Sequence, residues 1–257
     1  MKIINEIYTY RIVLKQLIKQ YLRLKYRRSL LGYFWTLLNP LLLLFVLAIV
    51  FSSLLNIDFI EFVLLLFAGL VPWNMFSQTI IQSLTIYINN ENLIKKIYIP
   101  KILFPLGVSI ALLIDSLIFF VTIFPLTLLI GGKFSIALIV LPVAFVILFI
   151  FSLGISLIGS LMSVFFRDFQ WLIPVMLQAL FFLTPILYDK TAVFGFLAWF
   201  NTINPLTPFI DLFKAPLYHG VFPTLESWIM SILIALSTLA ISLTIHSKYQ
   251  KKIIYRL

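Results

Sequence analysis

Read for apolar and polar positions alone, the chain breaks into long oily runs separated by short polar ones. From Ser29 to Leu55 there is no charged residue, which exceeds the roughly 20 helical residues needed to cross a hydrocarbon core of about 30 Å. Further runs at residues 62–86, 104–130, 135–165, 171–187 and 227–245 behave similarly. Backbone groups in lipid must be satisfied internally, so helices or a closed barrel are the available solutions. Runs of this length without strict alternation select helices. The pattern predicts an all-α integral membrane protein with six transmembrane helices.

Two stretches depart from simple crossings. Within residues 1–29, Ile7, Tyr10, Leu14, Leu17, Ile18, Tyr21 and Leu24 recur at three- and four-residue spacing beside a basic stripe of Arg11, Lys15, Lys19, Arg23 and Arg27. That is the signature of an amphipathic helix lying in the interface. Its length and the absence of a small-residue site after the first apolar run do not fit a cleavable leader. The rest, residues 30–257, forms the membrane domain. Between the fifth and sixth crossings, residues 188–226 hold two apolar pieces, Val193 to Phe200 and Leu206 to Phe213, split by Asn204-Pro205. Each is too short to span, so two re-entrant or interfacial helices on the outer side are expected.

Composition strengthens the membrane reading. Of the 257 residues, 62% are hydrophobic, beyond the range of soluble domains. The formal net charge of +10 raises nucleic acid as a partner, but its distribution excludes it. With six crossings and both ends in the cytoplasm, 16 of the 19 basic residues fall inside and Lys133, Lys190 and Lys214 fall outside. This is a topology signal. Trp35, Trp171, Trp199 and Trp228 fall near the expected interfaces, whereas Trp73 does not. There is no cysteine.

Catalytic and nucleotide-binding motifs are missing. No GxxxxGK[ST], HExxH or GxSxG is present, and His219 and His246 fall on opposite sides of the expected bilayer. The chain is therefore expected to be a non-catalytic subunit that does not energise transport by itself. The third crossing carries a single acid, Asp115. An ionisable group at helix centre costs roughly 2.5–3.5 kcal/mol on insertion scales, so Asp115 should face the bundle or another chain, in a structural role. Ser152, Ser156 and Ser160 form a small-xxx-small ladder suited to close helix packing. The polar loop at residues 89–101, NNENLIKKIYIPK, offers Leu93 and Ile94 beside Lys95 and Lys96.

The runs LKYRRSLLGYFWTLLNPLLLLFVLAIVFSSLL, LIKKIYIPKILFP, FFRDFQWLIP with FFLTPILY, and NPLTPFIDLFKAPLYHG together resemble the ABC-2 type permeases of polysaccharide and polyol-phosphate export: the O-antigen, capsule and teichoic-acid exporters. The resemblance covers nearly the whole chain, although family members often carry Arg where Lys214 stands. It implies a homodimer paired with two copies of a separate ATP-binding subunit that holds ATP and Mg, this chain having no cofactor. It also implies a bacterial inner-membrane location with both termini cytoplasmic. The cargo would be a glycan on undecaprenyl pyrophosphate or a related lipid. By the same resemblance, the N-terminal helix forms a cytoplasmic gate, Glu91, Leu93, Ile94, Lys95 and Lys96 dock the ATPase, and the outer short helices form a second gate.

A sugar chain needs a polar or aromatic track, because its hydroxyls are costly to strip of water. Tyr33, Phe34, Phe181, Phe182 and Tyr188 are candidates for lining it. Arg27 and Arg28 are candidates for the pyrophosphate headgroup, since guanidinium matches phosphate oxygens in a bidentate manner; topology alone is the competing role. Two other readings remain open: an ABC-2 drug or small-lipid exporter, and a lipid-modifying membrane enzyme. The enzyme would need a convergent polar set in the membrane, to which the sequence contributes Asp115.

Overall fold

The computed structural model describes residues 2–24 and 32–256. Arg27 and Arg28 lie outside the described residues, as does the Tyr33 side chain. The described chain is helical, with no strand among its described residues. The helices are α1 (Lys2–Thr9), α2 (Arg11–Leu24), α3 (Trp35–Leu55), α4 (Phe59–Leu84), α5 (Ile86–Asn89), α6 (Glu91–Lys96), α7 (Leu103–Leu129), α8 (Leu141–Phe165), α9 (Phe169–Leu183), α10 (Phe196–Ile203), α11 (Thr207–Lys214) and α12 (Leu225–Tyr249). A 3-10 turn at Ile136–Val140 leads into α8.

Among the described residues, five helical stretches are long and apolar enough to cross a membrane: Trp35–Leu55, Phe59–Leu84, Leu103–Leu129, Ile136–Phe165 and Leu225–Tyr249. The expected crossing at 171–187 is not one of them. α9 has 15 residues, or about 22 Å at 1.5 Å per residue. It stops because Pro185 disfavours the α region for the residue before it, and Thr184 is extended. The chain then enters the core without a helix, placing Ile186 against the backbone of Gly69.

α4 is the central helix. In its most apolar stretch 67% of residues are buried, against 17% in α3 and in α12. It meets α3, α7, α8 and α11. Trp73 finds its role here: the indole packs at 5.5 Å from Phe181 and 6.1 Å from Phe76, as core rather than interface. Local chemistry sets the turns around α4. Asn56 adopts the left-handed region to end α3, and the Asp58 carboxylate accepts hydrogen bonds from the backbone N–H groups of Ile60 and Glu61, capping α4.

The serine ladder lies on the buried side of α8. Ser152, Ser156 and Ser160 are fully buried, and Ser156 Oγ meets Ser109 Oγ of α7 at 3.3 Å. On the neighbouring face Gly154 admits α12: a Cβ there would lie 2.9 Å from Thr238 Cγ2 and 3.1 Å from Leu239 N. The first segment is two helices broken at Tyr10 rather than one. α2 rests on α7, with Leu17 buried and Tyr21 against Gly107, while Arg11, Lys15, Lys19 and Arg23 are exposed. A second core, near the basic tails, gathers Leu17, Tyr87, Ile94, Phe104, Leu161 and Ile253. There Tyr87 donates to Lys101 O at 3.2 Å and contacts His246 Nε2 at 3.0 Å, tying the loop before α7 to α12.

The tight approach at Gly154 makes a prediction. Gly154→Leu should destabilise the bundle by roughly 1–3 kcal/mol through overpacking, read as a lower midpoint of thermal unfolding in detergent. Gly159→Ala is the control, since a Cβ there meets Leu84 at an ordinary 3.4 Å. Equal midpoints for the two variants would refute the close α8–α12 contact.

Candidate functional site

Three oily helices turn polar residues toward one cleft. α3 contributes Thr36 and Asn39, α4 contributes Asn74 and Gln78, and α7 contributes Asp115 and Ser116. Trp35, Pro40, Leu43, Val71, Leu112 and Phe119 complete the wall of a cavity of about 270 Å³. On each helix the lining residues recur at three or four, because those positions share one face. Helical rise puts Asn74 about 15 Å from the Leu84 end of α4, and Asp115 about 18 Å from the Leu103 end of α7. The cleft therefore occupies the half of the bundle nearer the basic tails. Asp115 is buried against its neighbours, facing inward as its cost in lipid requires. Asp115 stands out in the sequence, whereas its companions in the cleft do not. Neutral polar residues at three- and four-residue spacing inside apolar runs were the available signal.

At the opposite end a charged lattice secures the segment between α9 and α12. α11 is driven into the core by Phe209 and Phe213, which pack at 4.5 Å on Phe151 and 4.9 Å on Phe145. Lys190 pairs with Asp211, whose Oδ2 also accepts from Ser227 at 3.3 Å. Tyr218 donates to Glu61 at 2.8 Å, and His219 meets Asp189 at 3.0 Å. Asn204 donates to Thr184 Oγ1 and accepts from Leu206 N, both at 3.0 Å, which shapes the turn between α10 and α11.

Lys214 is 4% exposed and donates to Tyr188 O at 2.8 Å. Burial pushes its pKa down to about 7, opposed by Asp189 and Asp211. Burial also raises Asp211, partly offset by Lys190. For Asp189 burial pushes upward, but hydrogen bonds from Thr191 and the charges of His219 and Lys214 prevail and lower it.

The proposed track residues do not form one surface. Phe34 is exposed near the start of α3, at the basic end. Phe181 is buried beside Trp73, Phe182 points outward at the far end of α9, and Tyr188 is half-buried with its hydroxyl donating to Leu183 O at 2.8 Å. In the loop, Lys95 pairs with Glu91 at 2.5 Å and Lys96 is exposed. Leu93 is half-buried, and Ile94 is turned into the basic-end core. The apolar surface the loop offers comes instead from Ile97 and Tyr98, which are 56% and 70% exposed.

Comparison with known proteins gives one family and a coherent set of relatives. The model of the ABC-2 type transporter family matches residues 12–218. The chain is 30% identical over 235 residues to the O-antigen export system permease protein RfbA of Myxococcus xanthus, covering 88% of this chain and 87% of that one. It is 30% identical over 202 residues to a Klebsiella pneumoniae protein of the same name, covering 75% and 76%. With the polysialic acid transport protein KpsM of Escherichia coli it shares 25% identity over 247 residues, covering 92% and 93%.

The Lys214 environment predicts a pH dependence. Its folded pKa of about 7 lies below the ordinary 10.5, so between these values the unfolded chain binds more protons than the folded one. Stability then rises with pH across that window and falls as pH drops through 7, where the folded state must hold a buried charge. The unfolding midpoint in detergent should climb from pH 7 to pH 9, and Lys214→Met should flatten that climb. Identical slopes for both proteins would contradict the assignment.

Proposed function

Since this chain belongs to the ABC-2 type transporter family, we propose that it is the permease subunit of an ATP-driven exporter moving a lipid-linked polysaccharide of the O-antigen type across the bacterial inner membrane. The observation that carries the reading is 30% identity to an O-antigen export permease across 88% of the chain. The charge pattern supports it: exposed basic residues on α2 and the cluster after α12 share one end of the bundle, as cytoplasmic segments should. In this scheme α9 and the turn at Thr184–Leu187 that follows it together make a sixth crossing, so both chain ends are cytoplasmic.

The remaining parts follow from chemistry. With no nucleotide-binding motif in its sequence, the chain draws on ATP and Mg held by a partner ATPase, two copies serving a homodimer. The outward faces of α3 and α12 carry apolar residues such as Leu42, Phe45, Val46, Leu233 and Leu236, suited to lipid or to a second copy. The ATPase docks at α6 and the residues after it, where Glu91, Lys95 and Lys96 flank Ile97 and Tyr98. Arg27 and Arg28 receive the pyrophosphate of an undecaprenyl-linked glycan, and Phe34 and Phe182 are track residues at the two ends of the path. α10 and α11 act as the outer gate, held closed by the lattice around Asp211.

Deletion of this chain in its host should abolish surface polysaccharide, and re-expression should restore it; unchanged surface polysaccharide after deletion would refute the reading. The isolated chain should turn over no ATP. Charge reversal at Lys95→Glu with Lys96→Glu should lower transport-coupled ATP turnover several-fold in the reconstituted complex. Unaltered turnover would remove α6 from the docking surface.

A further inference from the structure

The cleft between α3, α4 and α7 contains more hydrogen-bonding capacity than the described protein uses. Thr36 is 6% exposed, and its Oγ1 has no hydrogen-bond partner among the described residues. The Asn74 Nδ2 is likewise buried without one. Buried polar groups are ordinarily satisfied, and one left alone keeps its full desolvation penalty. Two such atoms in the same cavity, beside the amides of Asn39 and Gln78 and the Ser116 hydroxyl, describe a site with room for a polar guest.

The lining selects the guest. Among the described residues that form it there is no lysine or arginine, so these residues offer a phosphate or sulfate no countercharge. Its single carboxylate, Asp115, falls short of the oxygen set a hard divalent cation requires. A largely apolar drug would strand three side-chain amides. A neutral polyhydroxylated ring fits: the amides both donate to and accept from its hydroxyls and the carboxylate accepts from them, while Trp35 and Phe119 offer apolar surface to its C–H groups. The cavity of about 270 Å³ lies just below the roughly 300–1,000 Å³ of ordinary ligand sites, with room for a single sugar ring rather than a chain.

We infer that this cleft is a binding site for one neutral glycosyl ring, reached from the basic end of the bundle. The inference rests on the exporter reading and deepens it. A site of this kind gives the permease a sugar-dependent step of its own, separate from the charged lipid headgroup. It also explains why α3 and α4 carry amides, and α7 a carboxylate and a hydroxyl, at a depth where lipid-facing positions are apolar.

The chain contains no cysteine, so single thiols report cleanly. Ser116→Cys and Gln78→Cys variants, assembled with the partner ATPase in nanodiscs, are treated with a membrane-impermeant methanethiosulfonate. The probes are free glucose, galactose, mannose, rhamnose and N-acetylglucosamine, with glycerol and inorganic phosphate as controls. At least one sugar should slow modification about threefold at twice its dissociation constant, as mass action requires, and neither control should. Adding Asn74→Ala, in protein that elutes as the unmodified complex does, should abolish the protection. An unreactive thiol, protection by no sugar, or equal protection by glycerol or phosphate would overturn the inference. A surface-polysaccharide assay separates the two claims. If the wild-type chain restores polysaccharide to a deletion strain while no sugar protects the cleft, the cleft assignment falls and the exporter reading stands. If the wild-type chain restores none, the exporter reading falls by itself.

Discussion

Hydrocarbon cannot hydrogen-bond, and the architecture follows from that constraint. Every backbone N–H and C=O at depth must find a partner within the protein, which makes the crossings helical. Every side chain that could demand water must turn inward, which sorts the faces of each helix. α4 shows the result most fully, surrounded by α3, α7, α8 and α11 and buried along most of its length. α3 and α12 carry their apolar side chains outward and keep Thr36, Ser52, Ser231 and Ser242 inward.

The same constraint separates two kinds of polar cluster. At the end opposite the basic tails, Glu61, Asp189, Lys190, Asp211, Lys214 and His219 form a lattice of opposite charges and hydrogen bonds, with Lys214 buried at its centre. Such a lattice ties the segment between α9 and α12 to its neighbours weakly enough to be broken, because its ion pairs are partly exposed. In the basic-end half, the cleft around Asp115 is mostly neutral, amide-rich and not fully satisfied by the described protein. A cluster of the first kind suits a gate, and one of the second kind suits a transient polar guest. Both belong in a conduit for a hydroxyl-rich polymer.

Much of the fold was legible in the hydropathy pattern, since five long helices fall within a few residues of the expected crossings. α9 was read too long, because hydrophobicity continues through Pro185 although helix does not. The first helix was read as unbroken, because its apolar stripe continues across Tyr10 while the backbone turns. Helical periodicity identified α2 and its basic face but not the floor it rests on, the Gly107 gap in α7. Ile94 was expected at the surface on account of its charged neighbours, yet it is turned into the buried cluster that also holds Phe104 and Leu161. The cleft was the least legible feature. Asn39, Asn74 and Asp115 are far apart in sequence, and packing of three helices brings them together.

The account depends most on which chain segments share a face of the membrane. Single cysteines at Asn5, Val221 and Tyr255, all exposed positions, can be labelled with an impermeant thiol reagent in intact cells and in inverted membrane vesicles. Asn5→Cys and Tyr255→Cys are predicted to react in the inverted vesicles and stay silent in cells, with Val221→Cys doing the reverse. Labelling of the two chain ends from opposite faces would contradict the account.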